Sequence, residues 1–418
     1  IKTPHLDQMA AEGLRFTQFY AGSTVCAPSR SSLMTGQNTG HTRVRGNALV
    51  PLEPEDVTVA EVLKTAGYTT ALIGKWGLGE EGTAGIPRRQ GFDYFYGYLN
   101  QVHAHNFYPH YLWRNEEKEP LRNRVVFSPD GYAKGIGSAA IEKVEYTPDL
   151  LIEDAVRFLE NHADQPFFLY FASTIPHANN EYALAGDLHG MEVPDFGIYA
   201  DLDWPDAQKG HAAMISRLDA HVGKIIETLE RLGIDDDTYV FFTSDNGSHK
   251  EGGFSPQFNN SSGPLRGIKR DLYEGGIRVP MIVRAPGRVP AGMTTDQPFA
   301  FWDVLPTLAE MAGAKSPANI DGVSMAALLA GQPERQEQHD YLYWEFHEGP
   351  SSKQAVRMDE WKGVRLDPKG KLELYHLPKD IGETNDLADQ HPEVIAKMEA
   401  YLATARSESA EWPLKSAK

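Results

Sequence analysis

The sequence predicts an α/β fold: a large, mostly parallel sheet flanked by helices, followed by a small C-terminal antiparallel sheet with one helix. Three observations predict it. Short, wholly apolar strands alternate with amphipathic helical stretches along most of the chain, which means a sheet covered on both faces. After about Gln332 the pattern changes to short strands separated by turn residues. The length of 418 residues suits one large domain and a smaller one, read as 1–332 and 333–418.

The elements follow in order. Thr3 is placed to cap a helix with Pro4 at its first position, Leu6, Met9 and Ala10 on one face, and Gly13 as the stop. Phe16–Tyr20 reads as a strand, 57–66 as a helix ending at Gly67, and 68–74 (YTTALIG) as the next strand. A helix over 150–161 leads to an apolar strand at 167–172 (FFLYFA). Met214, Ile215, Leu218, Val222, Ile225, Ile226 and Leu229 recur at helical spacing. Strands follow at 239–243 (YVFFT) and 280–283. The C-terminal part reads as strands at 341–346, 355–358, 363–366 and 372–375, then a helix over 393–405. Two stretches, about 79–146 and 177–206, lack periodicity and are rich in aromatic, His, Arg, Asn and Gly residues. Long irregular segments of this kind build active-site rims.

Composition narrows the function. Hydrophobic content of 41% and charged content of 23% are ordinary for a globular protein. A net charge of −18 argues against a general nucleic-acid binder, which would need a basic face. An anionic substrate therefore has to meet a local cationic pocket. No run of eighteen apolar residues exists to span a membrane. The single cysteine excludes an intramolecular disulfide and leaves the compartment open; a periplasmic or secreted location is the expectation.

The strongest chemical signal is Cys26-Ala27-Pro28-Ser29-Arg30-Ser31-Ser32-Leu33-Met34-Thr35-Gly36. It matches in full the pattern Cys-x-Pro-Ser-Arg-x-x-Leu-x-Thr-Gly and resembles the maturation signature of the formylglycine-dependent sulfatase family. The resemblance implies that Cys26 is oxidised to formylglycine by a maturation enzyme. Hydrated formylglycine is a geminal diol: one hydroxyl attacks sulfur, and the other later drives sulfate out and restores the aldehyde. A divalent cation beside it favours the deprotonated hydroxyl.

Asp245-Asn246-Gly247 stands just after the strand YVFFT, at the strand end where α/β sheets place ligands. These residues are turn formers, but their oxygens are also hard ligands, suited to Ca²⁺ or to Mg²⁺ in its place. The family carries a Ser-Asp-Asn-Gly segment in this order, which implies Asp245, Asn246 and the oxidised Cys26 as ligands of one hard cation. Further segments extend the resemblance. Leu265-Arg266-Gly267-Ile268-Lys269 leads into Glu274-Gly275-Gly276-Ile277-Arg278-Val279-Pro280, and it implies Lys269 as a sulfate-binding lysine. Gly74-Lys75-Trp76 implies Lys75 on the sulfate and the formylglycine, and Arg30 is the third cation. A transition state with charge on its equatorial oxygens calls for such fixed positive groups. Thr174-Ile175-Pro176-His177 implies His177 at the leaving-group oxygen, as a protonated general acid.

Two departures stand out. Relatives read Gly-Lys-Trp-His-Leu-Gly where this chain reads Gly74-Lys75-Trp76-Gly77-Leu78-Gly79. The missing histidine has candidates in Val102-His103-Ala104-His105-Asn106, with His105 preferred. The family also begins with a strand ending in Asp-Asp, two further metal ligands, whereas Ile1-Lys2-Thr3-Pro4 looks like the segment just downstream. A sheet built without that strand is expected to expose an unpaired edge.

The expected substrate is a sulfated glycan, with galactose or N-acetylgalactosamine sulfate leading. The segment from Tyr96 to Trp113 offers aromatics for sugar faces, and its amides and histidines offer hydroxyl readers. His103, His105 and His249 are candidate substrate contacts, and Arg45, with Arg43, Arg88 and Arg89, a candidate for neighbouring sulfates. Two alternatives stand beside this reading: a phosphoester or phosphonate ester hydrolase of the alkaline phosphatase superfamily, and a non-catalytic sulfoglycan-binding protein.

Overall fold

The computed structural model describes residues 1–417. The helices are α1 (Pro4–Glu12), α2 (Cys26–Thr35), α3 (Val59–Thr65), α4 (Thr147–His162), α5 (Asp206–Leu232), α6 (Glu274–Ile277), α7 (Val304–Met311), α8 (Ala326–Leu329) and α9 (Pro392–Thr404). The strands of the first half are β1 (Leu14–Tyr20), β2 (Thr69–Lys75), β3 (Tyr94–Tyr98), β4 (Tyr111–Arg114), β5 (Glu117–Pro120), β6 (Arg124–Phe127), β7 (Ser138–Glu142) and β8 (Phe167–Ala172). Those of the second half are β9 (Val240–Thr243), β10 (Arg278–Arg284), β11 (Met293–Thr295), β12 (Phe299–Ala300), β13 (Leu342–Phe346), β14 (Lys353–Met358), β15 (Trp361–Arg365) and β16 (Glu373–His376).

The fold is α/β, as the alternation predicts, but the large sheet is divided in two. One five-stranded sheet runs β5-β4-β3-β2-β8, with β2 parallel to both β3 and β8 and the β3-β4-β5 part antiparallel. The other runs β11-β1-β10-β9, with β12 also on β1; β10 is antiparallel to β1 and β9, while β11 and β12 are parallel to β1. The outer strands β8 and β9 each have one partner, and both line a cavity of about 1500 Å³.

Both faces of the strands are covered. Leu72 and Phe95 pack with Leu33 and Met34 of α2, Val62 and Leu63 of α3, and Leu305 of α7. Their neighbours Ala71, Ile73, Tyr96 and Tyr98 point the other way, onto Leu151, Ile152 and Phe158 of α4. This two-sided burial explains why the strands read as continuous apolar runs. Thr58 and Glu61 start α3 with reciprocal side-chain-to-backbone hydrogen bonds. Gly233 stops α5 at φ 70°, a left-handed position that suits glycine.

Two readings of local structure change. The stretch 79–146 contains β3 to β7, and three of the aromatics offered as sugar contacts are core: Tyr96, Tyr98 and Trp113 are 2%, 0% and 5% exposed. They pack the fold and do not form a sugar-stacking surface. The Cys26 motif is a helix, α2, buried along its whole length. With no solvent-facing side it has no amphipathic stripe to read, and Pro28 fits because it falls in the first turn.

Beyond the large sheets, β13-β14-β15-β16 form an antiparallel sheet with α9 packed on it through Met398 and Leu402. Trp344 joins this sheet to the rest, donating from Nε1 to the Ala21 carbonyl at 2.9 Å and packing against Tyr20 and Trp302. Lys362 is a second tie. It is fully buried and bridges Glu274 Oε1 at 2.8 Å and Glu383 Oε1 at 3.1 Å.

Candidate active site

The ends of β2, β8 and β9, the start of α2 and the loop before α6 converge. Cys26 opens α2, is 5% exposed, and has its Sγ 3.4 Å from Lys75 Nζ at the end of β2. Burial pushes the thiol pKa up, but the charges of Lys75 and Lys269 outweigh it, and the net shift is downward. Burial is also the larger influence on Lys75 and lowers its pKa, with the Cys26 thiolate opposing. The position therefore favours an anionic atom at the Cys26 side chain.

Arg30 lies four residues further along α2 and so on the same face. Its Nε and Nη2 reach Asp245 Oδ2 at 3.0 and 2.9 Å, and Nη1 donates to the Lys75 carbonyl at 2.5 Å. Asp245 is held ionised: burial raises its pKa, and Arg30 and Lys75 bring it below the usual value. The loop after β9 sits tightly against α6. A Cβ on Gly247 would lie 1.9 Å from the Gly275 carbonyl oxygen, so only glycine fits there.

The cation expectation can be tested on these donors. Both Arg30 contacts fall on Asp245 Oδ2, leaving Oδ1, and Asn246 donates its Nδ2 to the Gly247 carbonyl, leaving its own oxygen. Two hard oxygens suit Ca²⁺ or Mg²⁺ in kind, and supply a minority of the roughly six to eight that calcium takes. Among the described residues no three His, Cys, Asp or Glu side chains gather as a metal cluster.

Lys269 faces the same space from the loop before α6. Its Nζ donates to His177 Nε2 at 3.0 Å and to Glu251 Oε2 at 2.9 Å. His177 Nδ1 donates to the Ala178 carbonyl at 2.7 Å, which places the ring proton on Nδ1 and leaves Nε2 an acceptor. Burial, then the charge of Lys269, lowers the His177 pKa well below the ordinary value. The expected imidazolium is therefore a neutral ring in this state, with Lys269 Nζ as its neighbouring donor.

His105 is brought into the site. Its ring stacks on His177 at 5.0 Å and 9°, and its Nδ1 meets Glu181 at 3.1 Å. His249 stacks on the other side of His177 at 5.8 Å, but both its nitrogens are engaged. Nε2 donates to the Pro176 carbonyl at 3.1 Å and Nδ1 accepts from the Glu251 N–H at 3.0 Å, so His249 braces two loops and has no nitrogen left for substrate.

Two candidates lie elsewhere. His103 is buried between Tyr98 and Tyr111, with both ring nitrogens unpartnered and its pKa pushed down to about 3 by burial. It is packing. Arg45 is 3% exposed and spends its guanidinium on the Thr42 carbonyl, Glu345 and Ser407, fastening its loop to the C-terminal sheet. Arg43 likewise pairs with Asp56, and Arg88 and Arg89 reach only backbone carbonyls.

Sequence reasoning missed two acids. Glu251 binds Lys269 and, at 2.6 Å, Arg270; burial raises its pKa, and Lys269 and Arg270 bring it down to about 2. Glu181 orients His105. Their signal was position alone: Glu251 lies six residues after Asp245 and Glu181 four after His177.

The chain belongs to the sulfatase family, the sulfuric ester hydrolases. The family model described as Sulfatase matches residues 1–314, and a second, described as N-sulphoglucosamine sulphohydrolase, C-terminal, matches residues 268–408. Human arylsulfatase A is 32% identical, the match covering 94% of this chain and 80% of that protein. The N-acetylgalactosamine-6-O-sulfatase of Bacteroides thetaiotaomicron is 27% identical, covering 97% of this chain and 89% of the relative. Among solved structures, Ps i-CgsB in complex with k-i-k-neocarrahexaose superposes with a TM-score of 0.79 at 25% identity, covering 99% of this chain and 89% of that one. The phosphonate monoester hydrolase SpPMH from Silicibacter pomeroyi shares the fold at a TM-score of 0.66 and 18% identity, covering 100% of this chain and 95% of that one. No helix among the described residues is long and apolar enough to cross a membrane.

Proposed function

We propose that the protein is a formylglycine-dependent sulfatase that hydrolyses a sulfate ester on a carbohydrate, galactose or N-acetylgalactosamine sulfate in a glycan, outside the cytoplasm. One observation carries the reading: Cys26, the residue at the centre of the maturation motif, is buried at the start of α2 against Lys75, within reach of the charges of Arg30 and Lys269. A reacting sulfate needs that cationic surround inside a molecule whose net charge is −18.

Oxidised by a maturation enzyme and hydrated, Cys26 supplies two hydroxyls on one carbon, one for attack on sulfur and one for release of sulfate. Asp245 and Asn246 would hold a hard cation beside Cys26, and its positive charge would favour the ionised hydroxyl. The remaining work falls to residues in view. Arg30 fixes Asp245 and the end of β2. Lys75 faces the attacking oxygen, and His105, oriented by Glu181, takes the place of the family histidine absent at Gly77. Lys269 neutralises charge on the sulfate oxygens. Lys269 and His177 hold one proton between Nζ and Nε2, and the departing sugar oxygen takes it from there. We assign this chemistry to residues 1–332, with 333–418 touching its edge through Glu348, which accepts from Arg270 at 3.0 Å.

The sugar assignment is supported by the B. thetaiotaomicron relative, named for N-acetylgalactosamine 6-O-sulfate, and by the oligosaccharide bound to i-CgsB. Mass spectrometry of the peptide holding Cys26 tests the mechanism. Material from a host with the maturation machinery should carry formylglycine. Active material that carries only unmodified cysteine overturns the reading. Relative rates on aryl sulfate and aryl phosphate, then a panel of sulfated sugars, test the ester class and the substrate.

A further inference from the structure

The aromatics expected to hold a sugar are buried in β3 and β4, which leaves the question of what meets the substrate outside the sulfate pocket. The loop between β6 and β7 supplies one side chain. Its ends pair through Ser128 N–H to the Gly137 carbonyl at 2.8 Å, and Gly131 and Gly135 make its turns at φ 67° and 71°. At its tip Tyr132 is 54% exposed.

An exposed tyrosine is ordinary; its anchorage here is not. Tyr132 Oη accepts from Gln101 Nε2 at 2.8 Å. Gln101 is itself only 3% exposed, so the phenol is tied to a fixed, buried amide. Gln101 also stands against the catalytic cluster. Gly77 N–H donates to the Leu99 carbonyl at 2.9 Å, and a Cβ on Gly77 would lie 3.5 Å from that of Gln101. Two residues before Gly77 is Lys75, whose ammonium touches Cys26. The base of the loop reaches the other wall: a Cβ on Gly137 would lie 2.9 Å from the Glu181 carboxyl, and Glu181 holds His105. The Tyr132 phenol pKa is raised, first by partial burial and then, against the Gln101 hydrogen bond, by the charge at Cys26, which agrees with this placement.

We propose that Tyr132, positioned by Gln101, forms the platform for the ring that bears the sulfate: the tyrosine face takes the apolar face of the sugar, and Gln101 holds the phenol in place. The step rests on the sulfated-carbohydrate reading given above and adds the residue that meets the ring. An aromatic face held in place beside a polar pocket suits the apolar face of a sugar ring.

The test uses the matured enzyme with Tyr132→Ala, Tyr132→Phe and Gln101→Leu on the best substrate of a sulfated-sugar panel, with inorganic sulfate as an inhibitor that fills only the reacting pocket. Tyr132→Ala should raise KM about tenfold with kcat within about twofold. Tyr132→Phe keeps the face but loses the tether to Gln101, and Gln101→Leu removes the same tether from the other side, so each should raise KM only about twofold to threefold. Sulfate inhibition should be unchanged in Tyr132→Ala and Tyr132→Phe. A Tyr132→Ala KM within twofold of the parent on the best substrate overturns the platform. The parent's own panel decides the carbohydrate reading separately: preference for a non-sugar sulfate sinks that reading, and the tyrosine assignment with it only if Tyr132→Ala again leaves KM unchanged on the preferred substrate.

Discussion

Lys269 is held from two sides, by His177 Nε2 and by the Glu251 carboxylate, and the two contacts have different consequences. Replacing Lys269 with Ala removes charge stabilisation, and kcat should fall by about 100-fold or more on any substrate. His177→Ala should cost much less on nitrophenyl sulfate, whose leaving group needs no proton, than on a sulfated sugar; equal losses contradict the proton-donor role. Glu251→Gln keeps the shape but removes the counter-charge that fixes Lys269, so kcat should drop about tenfold with KM little changed, and Glu251→Asp should recover part of it. The buried histidines bear on pH. Burial pushes His103 and His211 down to about 3 and lowers His105, His177 and His249 as well, while Asp303 raises only His339 against its own burial. Below the unfolded value near 6.5, the unfolded chain takes up protons that the folded state refuses. Stability is thus fully present above about 6.5 and falls with decreasing pH, by up to about 1.4 kcal/mol per pH unit for each such histidine. Denaturant titrations at pH 7.5, 6 and 5 check the sign.

Among the elements, the loop after β9 shows how backbone geometry places a side chain. Asp245 stands where it does because Gly247 passes against the Gly275 carbonyl with no room for a methyl group. Gly247→Ala should push the loop away, cost about 1–3 kcal/mol in overpacking, and lower kcat/KM about 100-fold by displacing Asp245 from Arg30; thermal melting and kinetics separate the two effects. The elements also show what a sequence discloses. β8 was legible to the residue because FFLYFA is apolar throughout and bounded by polar turns. The Cys26 motif announced its chemistry through residue identity, yet its helix was hidden, since total burial erases the amphipathic period on which helix reading depends. Arg45 and His103 misled for a related reason: a cation or an imidazole in a motif-rich stretch carries no mark of the Glu345 or Tyr111 that folding brings against it from far along the chain or across a turn. Glu251 was passed over because an acid near an anion-binding lysine looks unfavourable until the lysine is seen to need an anchor.

Across the whole molecule, the small sheet is fastened to the catalytic part by charge as well as by tryptophan. Lys362 on β15 sits between Glu274 at the start of α6 and Glu383, all three fully buried. Lys362→Met would leave two carboxylates sharing a dry site, and a loss of about 3–5 kcal/mol, read as a lower melting temperature, is expected. Partial recovery by adding Glu383→Gln would show that the charge, and not the packing, is responsible. The same ties bear on how the molecule comes apart: because Trp344 and the Lys362 cluster are shared between the small sheet and the catalytic part, the small sheet should melt together with the rest, and calorimetry should show one transition and not two.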